Sequence, residues 1–193
     1  MFPLGHIGIT IGIVYLMLSL LSSRNKLSDP RKSPFEELDF RFVIFAALLP
    51  DIVDKIVGML IFKDEFSNGR IFMHSAVVIG ILSICYFIAA RIKLKSALIT
   101  ICYIFSVWMH LLLDMMWVEP KTLFWPLMGL DFPRSDVEFS DYFGMLITNS
   151  FTYFTEILGG LIIIILIIRH RLFIKMHLIE FIKDGKLKIL SES

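Results

Sequence analysis

The stretch RFVIFAALLPDIVDKIVGMLIF, residues 41–62, is apolar over most of its length but carries two aspartates and a lysine near its centre. At about 1.5 Å per residue, a helix of this length crosses a hydrocarbon core of roughly 30 Å. Four more apolar runs are long enough to do the same. The sequence therefore predicts an all-α fold, a polytopic transmembrane helical bundle of about five spans, at 4–22, 41–62, 71–90, 97–117 and 151–168.

The composition of the 193-residue chain predicts a single integral membrane domain over residues 1–193. Hydrophobic residues make up 56% of the chain, whereas soluble globular domains hold about 45–50% apolar residues. A net charge of +1 with 19% charged residues argues against disorder and against a nucleic-acid partner, which needs clustered Lys and Arg. Cys85 and Cys102 lie inside apolar runs without a CxxC pairing. Neither a disulfide framework nor a thiolate zinc site is therefore predicted.

The basic residues predict how the spans are oriented in the plasma membrane. Fourteen of the 19 Lys and Arg fall in the first connection, the third connection and the tail, and cytoplasmic loops are the ones that retain positive charge. We therefore expect the N-terminus outside and the C-terminus in the cytoplasm. Because no Lys or Arg precedes the first run, we expect it to remain as a span and not to be a cleavable signal.

Two segments outside the spans have patterns of their own. The connection 118–150 is rich in aromatic and acidic residues, and its length and composition predict an outer lid loop at the membrane interface. The tail 169–193 carries apolar residues at helical spacing among Lys and His, namely Ile174, Leu178, Phe181 and Ile182. This pattern predicts a C-terminal amphipathic helix on the inner leaflet.

Eight ionisable side chains fall within or at the edge of the predicted spans. An acid costs about 2.5–3.5 kcal/mol at the centre of a membrane helix, so each one needs a partner. Lys55 can neutralise one carboxylate, most simply Asp51 four residues earlier, which leaves three acids without a cation. Carboxylates and neutral imidazoles are the ligands that a zinc-like divalent ion prefers. The eight residues are His6, Asp51, Asp54, Lys55, His74, His110, Asp114 and Glu156.

Under the predicted topology these side chains gather toward the outer side of the membrane. His110 and Asp114 are four residues apart and share a helix face, as do Asp51 and Asp54. Asp51 falls near the midplane, and we expect a kink at Pro50 to line a cavity and bring the two aspartates toward the other ligands. The candidate ligands of one or two divalent ions, zinc in the first place, are His6, Asp51, His74, His110, Asp114 and Glu156.

Several of these residues have a second interpretation. His6 alone suits a hydrogen bond between helices, and Glu156 suits a pair with the lid or with another helix. Asp54 is a ligand, a general base, or an acceptor that orients a ligating histidine. Arg70 either grips a phosphate group or is a surface arginine whose charged head reaches water. We predict catalytic roles for Asp54 and Arg70.

Three strings in the sequence resemble the YdjM-like family of membrane-bound metal-dependent hydrolases. The likeness covers most of the chain, and its most specific element is the HxxxD motif that is followed by a WPL segment. The family is in turn similar to the zinc-dependent phospholipase C and single-strand nuclease superfamily, whose helical enzymes cleave phosphoesters. The strings are LLPDIVDK at 48–55, GRIFMHS at 69–75 and HLLLDMMWVEPKTLFWPLMG at 110–129.

The resemblance implies particular metal sites. It matches Asp51, His74, His110 and Asp114 to a first site, and His6 with Asp114 to part of a neighbouring site. The superfamily's later histidine pair and the glutamate after it have no counterpart beyond Asp114. The resemblance therefore implies one or two zinc ions and not three.

Together these observations favour a membrane-embedded metal-dependent hydrolase. Its expected reaction is cleavage of a phosphoester in a lipid or lipid-linked substrate at the outer interface. A metal- or proton-coupled transporter is the main alternative, because midplane carboxylates beside a broken helix also hold coupling ions. A structural protein held together by a metal is a third interpretation. The lack of an internal repeat and the one-sided distribution of the ligands favour the hydrolase.

Overall fold

The computed structural model describes residues 2–25, 34–93, 96–134, 144 and 149–187, and these ranges contain helices and no strand. The predicted all-α fold is therefore confirmed for the described chain. A π-helical turn follows the third helix at Ile56–Ile61, and 3₁₀ turns lie at Phe72–His74 and Met116–Val118. The α-helices are α1 (Pro3–Asn25), α2 (Pro34–Glu37), α3 (Phe40–Lys55), α4 (Ala76–Ile92), α5 (Ala97–Leu113), α6 (Pro120–Leu123), α7 (Ser150–Arg169) and α8 (Lys175–Asp184).

Side-chain caps set where three of the long helices begin. Asp39, Ser75 and Asn149 each accept hydrogen bonds from backbone N–H groups in the first turn of α3, α4 and α7, respectively. Such caps satisfy donors that have no partner inside the helix. The cap at Ser75 also explains why α4 begins five residues after the predicted start of the third span.

α5 ends earlier than the fourth predicted span, 97–117, to which it corresponds. α5 stops at Leu113, Asp114 is its C-cap, and Met115 has a left-handed backbone with φ of 51°. A non-glycine residue rarely adopts this conformation. The start of the predicted lid loop then forms a 3₁₀ turn and α6, whereas residues 135–143 and 145–148 of that loop lie outside the described residues.

Two described helices are long and apolar enough to cross a membrane. They are the segment Pro3–Ser23 of α1 and the whole of α7. α4 and α5 are apolar but have 17 residues each, and α3 has 16 residues before the π-helical turn continues it. The assignment of all five predicted spans to the membrane therefore stays a prediction.

The helices pack around α5 and α1. α1 contacts α3, α5 and α7, while α3 and α4 each contact α5. Apolar side chains from α1, α3 and α5 form the main core, including Val14, Leu18, Phe40, Val43 and the buried Cys102. The core therefore fixes α3 and α5 against each other, and these two helices with the C-cap of α5 carry three of the six predicted ligands.

α1 and α7 approach most closely at two glycines. A Cβ atom at Gly8 would collide with the backbone of Gly159, and one at Gly12 would lie 2.9 Å from the side chain of Ile162. Small residues allow helix backbones to approach in this way. The spacing of Gly5, Gly8 and Gly12 predicts close helix packing, and the structure confirms it at the latter two.

α8 lies where the sequence predicts an amphipathic helix and is tied to the start of α3. The Arg41 guanidinium donates through Nη1 to the carbonyl oxygens of Ile182 at 2.6 Å and Lys183 at 3.1 Å. It also pairs with the Asp39 carboxylate, with 2.6 Å between Nη2 and Oδ2. Burial by itself would raise the pKa of Asp39, but the hydrogen bonds from Arg41 outweigh burial and leave this pKa lowered.

Candidate metal centre

Four of the six predicted ligands lie together in a buried group. Asp51 comes from α3, His74 from the 3₁₀ turn before α4, and His110 and Asp114 from the last turn of α5 and its C-cap. One ligand atom from each residue lies within 4.8 Å of all the others. We call this group, Asp51, His74, His110 and Asp114, the metal centre.

The spacing of the ligand atoms suits a small tetrahedral ion. The two histidine Nε2 atoms are 3.3 Å apart, His74 Nε2 is 3.6 Å from Asp114 Oδ2, and His110 Nε2 is 3.8 Å from Asp51 Oδ1. Four ligands at about 2.0–2.2 Å around a tetrahedral zinc ion stand about 3.3–3.6 Å from one another. The donor set of the metal centre therefore fits such an ion with small adjustments.

The second nitrogen of each histidine fixes which ring atom faces the metal centre. His110 Nδ1 lies 2.7 Å from the carbonyl oxygen of Ala47. A carbonyl only accepts, so this nitrogen carries the proton and Nε2 presents a lone pair. His74 Nδ1 donates in the same way to Asp54 Oδ2, at 2.7 Å. With both rings neutral, two lone pairs face each other, and a cation bound between them would remove their repulsion. Ligating histidines in proteins are oriented by this kind of second hydrogen bond.

Asp54 organises the segment that carries His74. Its carboxylate accepts hydrogen bonds from the backbone N–H groups of Ile71 at 2.8 Å, Met73 at 2.9 Å and His74 at 3.1 Å, besides the bond from the His74 ring. The residue is fully buried. Because both oxygens accept hydrogen bonds from the segment that carries His74, the geometry favours the orienting role among those predicted for Asp54.

His6 lies beside the metal centre and not in it. Its Nε2 atom is 3.1 Å from Asp114 Oδ1, and its ring stacks on that of His110 with 4.0 Å between centroids. Its Nδ1 atom is buried without a hydrogen-bond partner in the described chain. His6 and Asp114 are thus brought together as the resemblance implies, and the contact between α1 and α5 depends on a polar pair.

Arg70 supplies a cation that the charge argument from sequence missed. Its Nε atom is 3.1 Å from Asp114 Oδ2, and its Nη1 atom is 2.8 Å from Glu119 Oε1. Lys55 pairs with Asp51 at 2.8 Å, as predicted. The sequence predicted three acids without a cation; because Arg70 pairs with Asp114, that number is too high by one. No role was predicted for Glu119 from the sequence. Its position in the 110–129 string, five residues after Asp114, is the feature of the sequence that could have indicated its pair with Arg70.

The charges of the whole network balance one divalent cation. Four carboxylates and two basic side chains are connected by ion pairs around the two histidines. With both histidines neutral, four negative and two positive charges leave a net charge of −2. The carboxylates are Asp51, Asp54, Asp114 and Glu119, and the basic side chains are Lys55 and Arg70.

Glu156 is not brought into the metal centre, which corrects its prediction as a ligand. Its carboxylate accepts hydrogen bonds from the backbone N–H groups of Leu4 at 3.2 Å and Gly5 at 2.8 Å, in the first turn of α1. Helix N-termini have unpaired donors and favour a negative charge. The structure therefore agrees with the second interpretation of Glu156, in which it pairs with another helix, here α1.

Aromatic residues and two polar anchors hold the loop 124–133 over the segment between α3 and α4. Phe72 packs edge-on against Trp125 and Phe132, with centroids 5.1 Å apart in both cases. The Ser75 hydroxyl donates to the carbonyl of Trp125 at 2.6 Å, and the Asn68 amide donates to the carbonyl of Pro133 at 2.6 Å. This part of the predicted lid is therefore fixed next to His74.

These features define an all-helical protein with two helices of membrane-spanning length and a buried His/Asp group that could hold a metal ion. The chain belongs to the YdjM inner membrane protein family, whose model matches residues 1–178. The family resemblance that the sequence motifs predict is thereby confirmed, and the protein is an inner membrane protein. Comparisons with curated proteins and with solved structures give no match.

Proposed function

We propose that this protein is a membrane-embedded metal-dependent hydrolase that cleaves a phosphoester of a lipid or lipid-linked substrate at the outer membrane–water interface. The observation that carries the proposal is the metal centre, in which two oriented imidazoles and two carboxylates bring four ligand atoms within 4.8 Å of one another. Burying this much charge is costly for a membrane protein. A bound metal ion would offset this cost and would give the group a function in metal-dependent chemistry.

The donor set favours zinc. Two imidazole nitrogens and two carboxylate oxygens suit this ion, whereas magnesium and calcium prefer oxygen ligands alone. Asp51, His74, His110 and Asp114 would hold one ion. His6, with its unpartnered buried Nδ1 atom, and Asp114 offer part of a second site. The proposed stoichiometry is one or two ions per chain.

The chain's own residues would bind and orient a phosphoester at this centre. When bound, a divalent cation supplies Lewis-acid polarisation of a phosphoryl oxygen and makes water a stronger acid. Arg70 reaches the edge of the centre with 34% of its side chain exposed, and its planar head would have to leave Asp114 or Glu119 to hold the phosphoryl oxygens bidentately. Asp54 keeps the His74 ring in place. Lys55, which is 45% exposed, adds positive charge on the side of Asp51.

The membrane arrangement supports a lipid substrate. In the proposed topology α1, α3 with its π-helical turn, α4, α5 and α7 are the five spans, with the N-terminus outside and the C-terminus in the cytoplasm. The first turn of α1 (His6), the last turn of α5 (His110) and the segment preceding α4 (His74) all meet at the metal centre. This end of the bundle is the outer one in that topology.

A reporter fused at the C-terminus should be active only in its cytoplasmic form; activity of a periplasmic reporter there would contradict the orientation.

The likeness of the motifs to the zinc-dependent phospholipase C superfamily gives the reaction class. We propose this likeness only for the metal centre. Glu156 caps α1 and therefore does not supply the further ligand that a larger metal cluster would need. The proposed activity is therefore phosphoester hydrolysis with a smaller metal cluster than the superfamily uses.

The direct test uses purified full-length protein in phospholipid vesicles. Elemental analysis should find zinc at one or two equivalents, and vesicles of phosphatidic acid or phosphatidylglycerol should release phosphate or diacylglycerol. His110→Ala should lose both the zinc and the release. His177→Ala is the matched control, because His177 lies in α8, away from the metal centre, and should retain both.

Other outcomes would overturn the hydrolase. Equal release by wild type and His110→Ala would remove the metal centre from the reaction. Metal-dependent ion flux across the vesicles without release would favour the transporter. Unfolding on chelation, with no turnover before or after, would favour a structural metal.

A further inference from the structure

A long apolar groove runs along the surface of α3, α4 and α5. It has a volume of about 900 Å³, and large side chains on its walls are exposed, such as Phe42 at 56%, Phe45 at 53% and Leu82 at 48%. We call it the α3–α4 groove. In the proposed five-span topology this groove faces hydrocarbon, so its natural occupant is apolar.

One end of the groove adjoins the metal centre. Leu49, Met73 and Val107 lie at this end, and each is within three residues along the chain of a different ligand of the metal centre. They come from three separate elements, so the contact between groove and metal centre does not depend on a single loop. A molecule in the groove therefore ends beside the ligands.

The length of the groove matches one lipid tail. It extends along α3 from Asp39 to Leu49, which is ten residues or about 15 Å of helix. That is about half of a hydrocarbon core of roughly 30 Å, and in the proposed topology it lies between the metal centre and the cytoplasmic end of α3.

The charges at the two ends give the occupant a direction. The end at the metal centre has the basic side chains of Lys55 and Arg70 nearby. The far end is lined by Glu37 and by Asp39, which is paired with Arg41. A divalent ion bound at the first end would attract an anionic phosphate headgroup, whereas Glu37 at the far end repels it.

Two polar side chains along the groove, Tyr103 and Ser83, have partners within the protein. The Tyr103 hydroxyl accepts a hydrogen bond from the backbone N–H of Asp39 at 3.3 Å, and Ser83 Oγ accepts from Trp108 Nε1 at 3.1 Å. Neither group needs a polar ligand, so the walls favour a hydrocarbon chain over a polar occupant.

We propose that the α3–α4 groove binds the hydrocarbon chain of a phosphate-bearing lipid whose headgroup lies at the metal centre. This inference rests on the proposed hydrolase and names its substrate as a lipid with a long chain. Burial of each methylene contributes to binding, so the groove selects lipids by chain length while the metal centre selects the phosphate.

The test is photolabelling of the full-length protein in phosphatidylcholine vesicles with zinc present. The probe is phosphatidic acid that carries a diazirine in its acyl chain, and labelled peptides are mapped by mass spectrometry. We expect label on the groove faces of α3, α4 and α5, displaced by unlabelled phosphatidic acid but not by diacylglycerol. Leu82→Trp fills the groove and should lower this labelling about tenfold, the effect of roughly two methylenes losing their contacts.

Ile81→Trp is the matched control. Ile81 neighbours Leu82 in α4 and is 57% exposed, but it does not line the groove, so labelling should stay at the wild-type level. Label spread evenly over the outer faces of α1 and α7 as well, or unchanged in Leu82→Trp, would overturn the proposal.

Lipid hydrolysis measured on the same samples separates the two proposals. Zinc-dependent hydrolysis with even labelling would overturn the groove and leave the hydrolase in place. Groove labelling that needs the phosphate, in samples that release no product, would support the groove and contradict the hydrolase.

Discussion

Asp54 is the residue on which the geometry of the metal centre depends most. It makes four hydrogen bonds to a segment that lies 17 to 20 residues further along the chain. Through them the side chain fixes both the tautomer of His74 and the direction of its ring. A buried carboxylate that orients a ligand in this way tunes the affinity of the metal without contacting it.

We predict that Asp54→Asn weakens zinc binding about 10–100-fold, the usual effect of losing a residue that orients a ligand. The amide has one acceptor oxygen in place of two, so His74 loses a charged partner and a backbone N–H loses its acceptor. Competition with a chelator of known affinity measures the change.

Asp64→Asn is the control for this substitution, because Asp64 is exposed in the turn after the π-helical segment. It should bind zinc as the wild type does. Unchanged zinc affinity in Asp54→Asn would show that the His74 ring is held by its other contacts.

The elements position the metal centre through close packing, and the contact between α1 and α7 is the tightest. Gly8 and Gly159 let the two backbones meet. The same contact places the first turn of α1 against Glu156, which accepts its N–H groups. His6 lies in that turn and reaches Asp114 from it. The helix pair thus holds the part of the site that comes from α1.

We predict that Gly159→Ala destabilises the protein by about 1–3 kcal/mol, because the new Cβ overpacks against the backbone of α1. Thermal unfolding in detergent measures the loss as a lower Tm. His6 should move away from Asp114, so any second zinc equivalent should be lost before the first.

Gly160→Ala is the matched control at the next position of the same helix. A Cβ there meets nothing within 4 Å, and alanine has the higher helix propensity. Its Tm should be equal to or above that of the wild type. Equal Tm values for the two variants would mean that α1 and α7 are not in close contact.

In the whole molecule, the metal centre connects parts of the chain that are far apart in sequence. α3 and α5 meet where His110 donates to the carbonyl of Ala47, 63 residues away. Arg70 joins the segment before α4 to Asp114, 44 residues away. Because Asp51, His74 and Asp114 come from different elements, a bound ion would cross-link the folded state and not the unfolded chain.

We therefore predict that zinc raises the Tm of the full-length protein. At a free concentration of 100 times Kd the stabilisation is about 2.7 kcal/mol, and a chelator should remove it. Thermal unfolding in detergent with and without zinc measures this. His110→Ala should show no zinc-dependent shift, and an equal shift in that variant would indicate zinc binding elsewhere.

The sequence by itself determined the helices and the residue types of the metal centre. Apolar runs set where the long helices lie, and the spacing of Asp51 from Asp54 and of His110 from Asp114 sets shared helix faces, since both depend only on local periodicity. The pair of Lys55 with Asp51 also follows from a four-residue spacing and is present in the structure.

Only the tertiary structure decided which groups meet across helices. In the structure Arg70 pairs with Asp114, and Glu156 accepts from the first turn of α1 and is not among the four residues of the metal centre. Asp54 accepts a hydrogen bond from the His74 ring. These contacts join residues 20 to 151 positions apart. Periodicity within one helix carries no information on them, because they depend on how the helices pack, and packing is set by side chains and close approaches such as the one at Gly8 and Gly159.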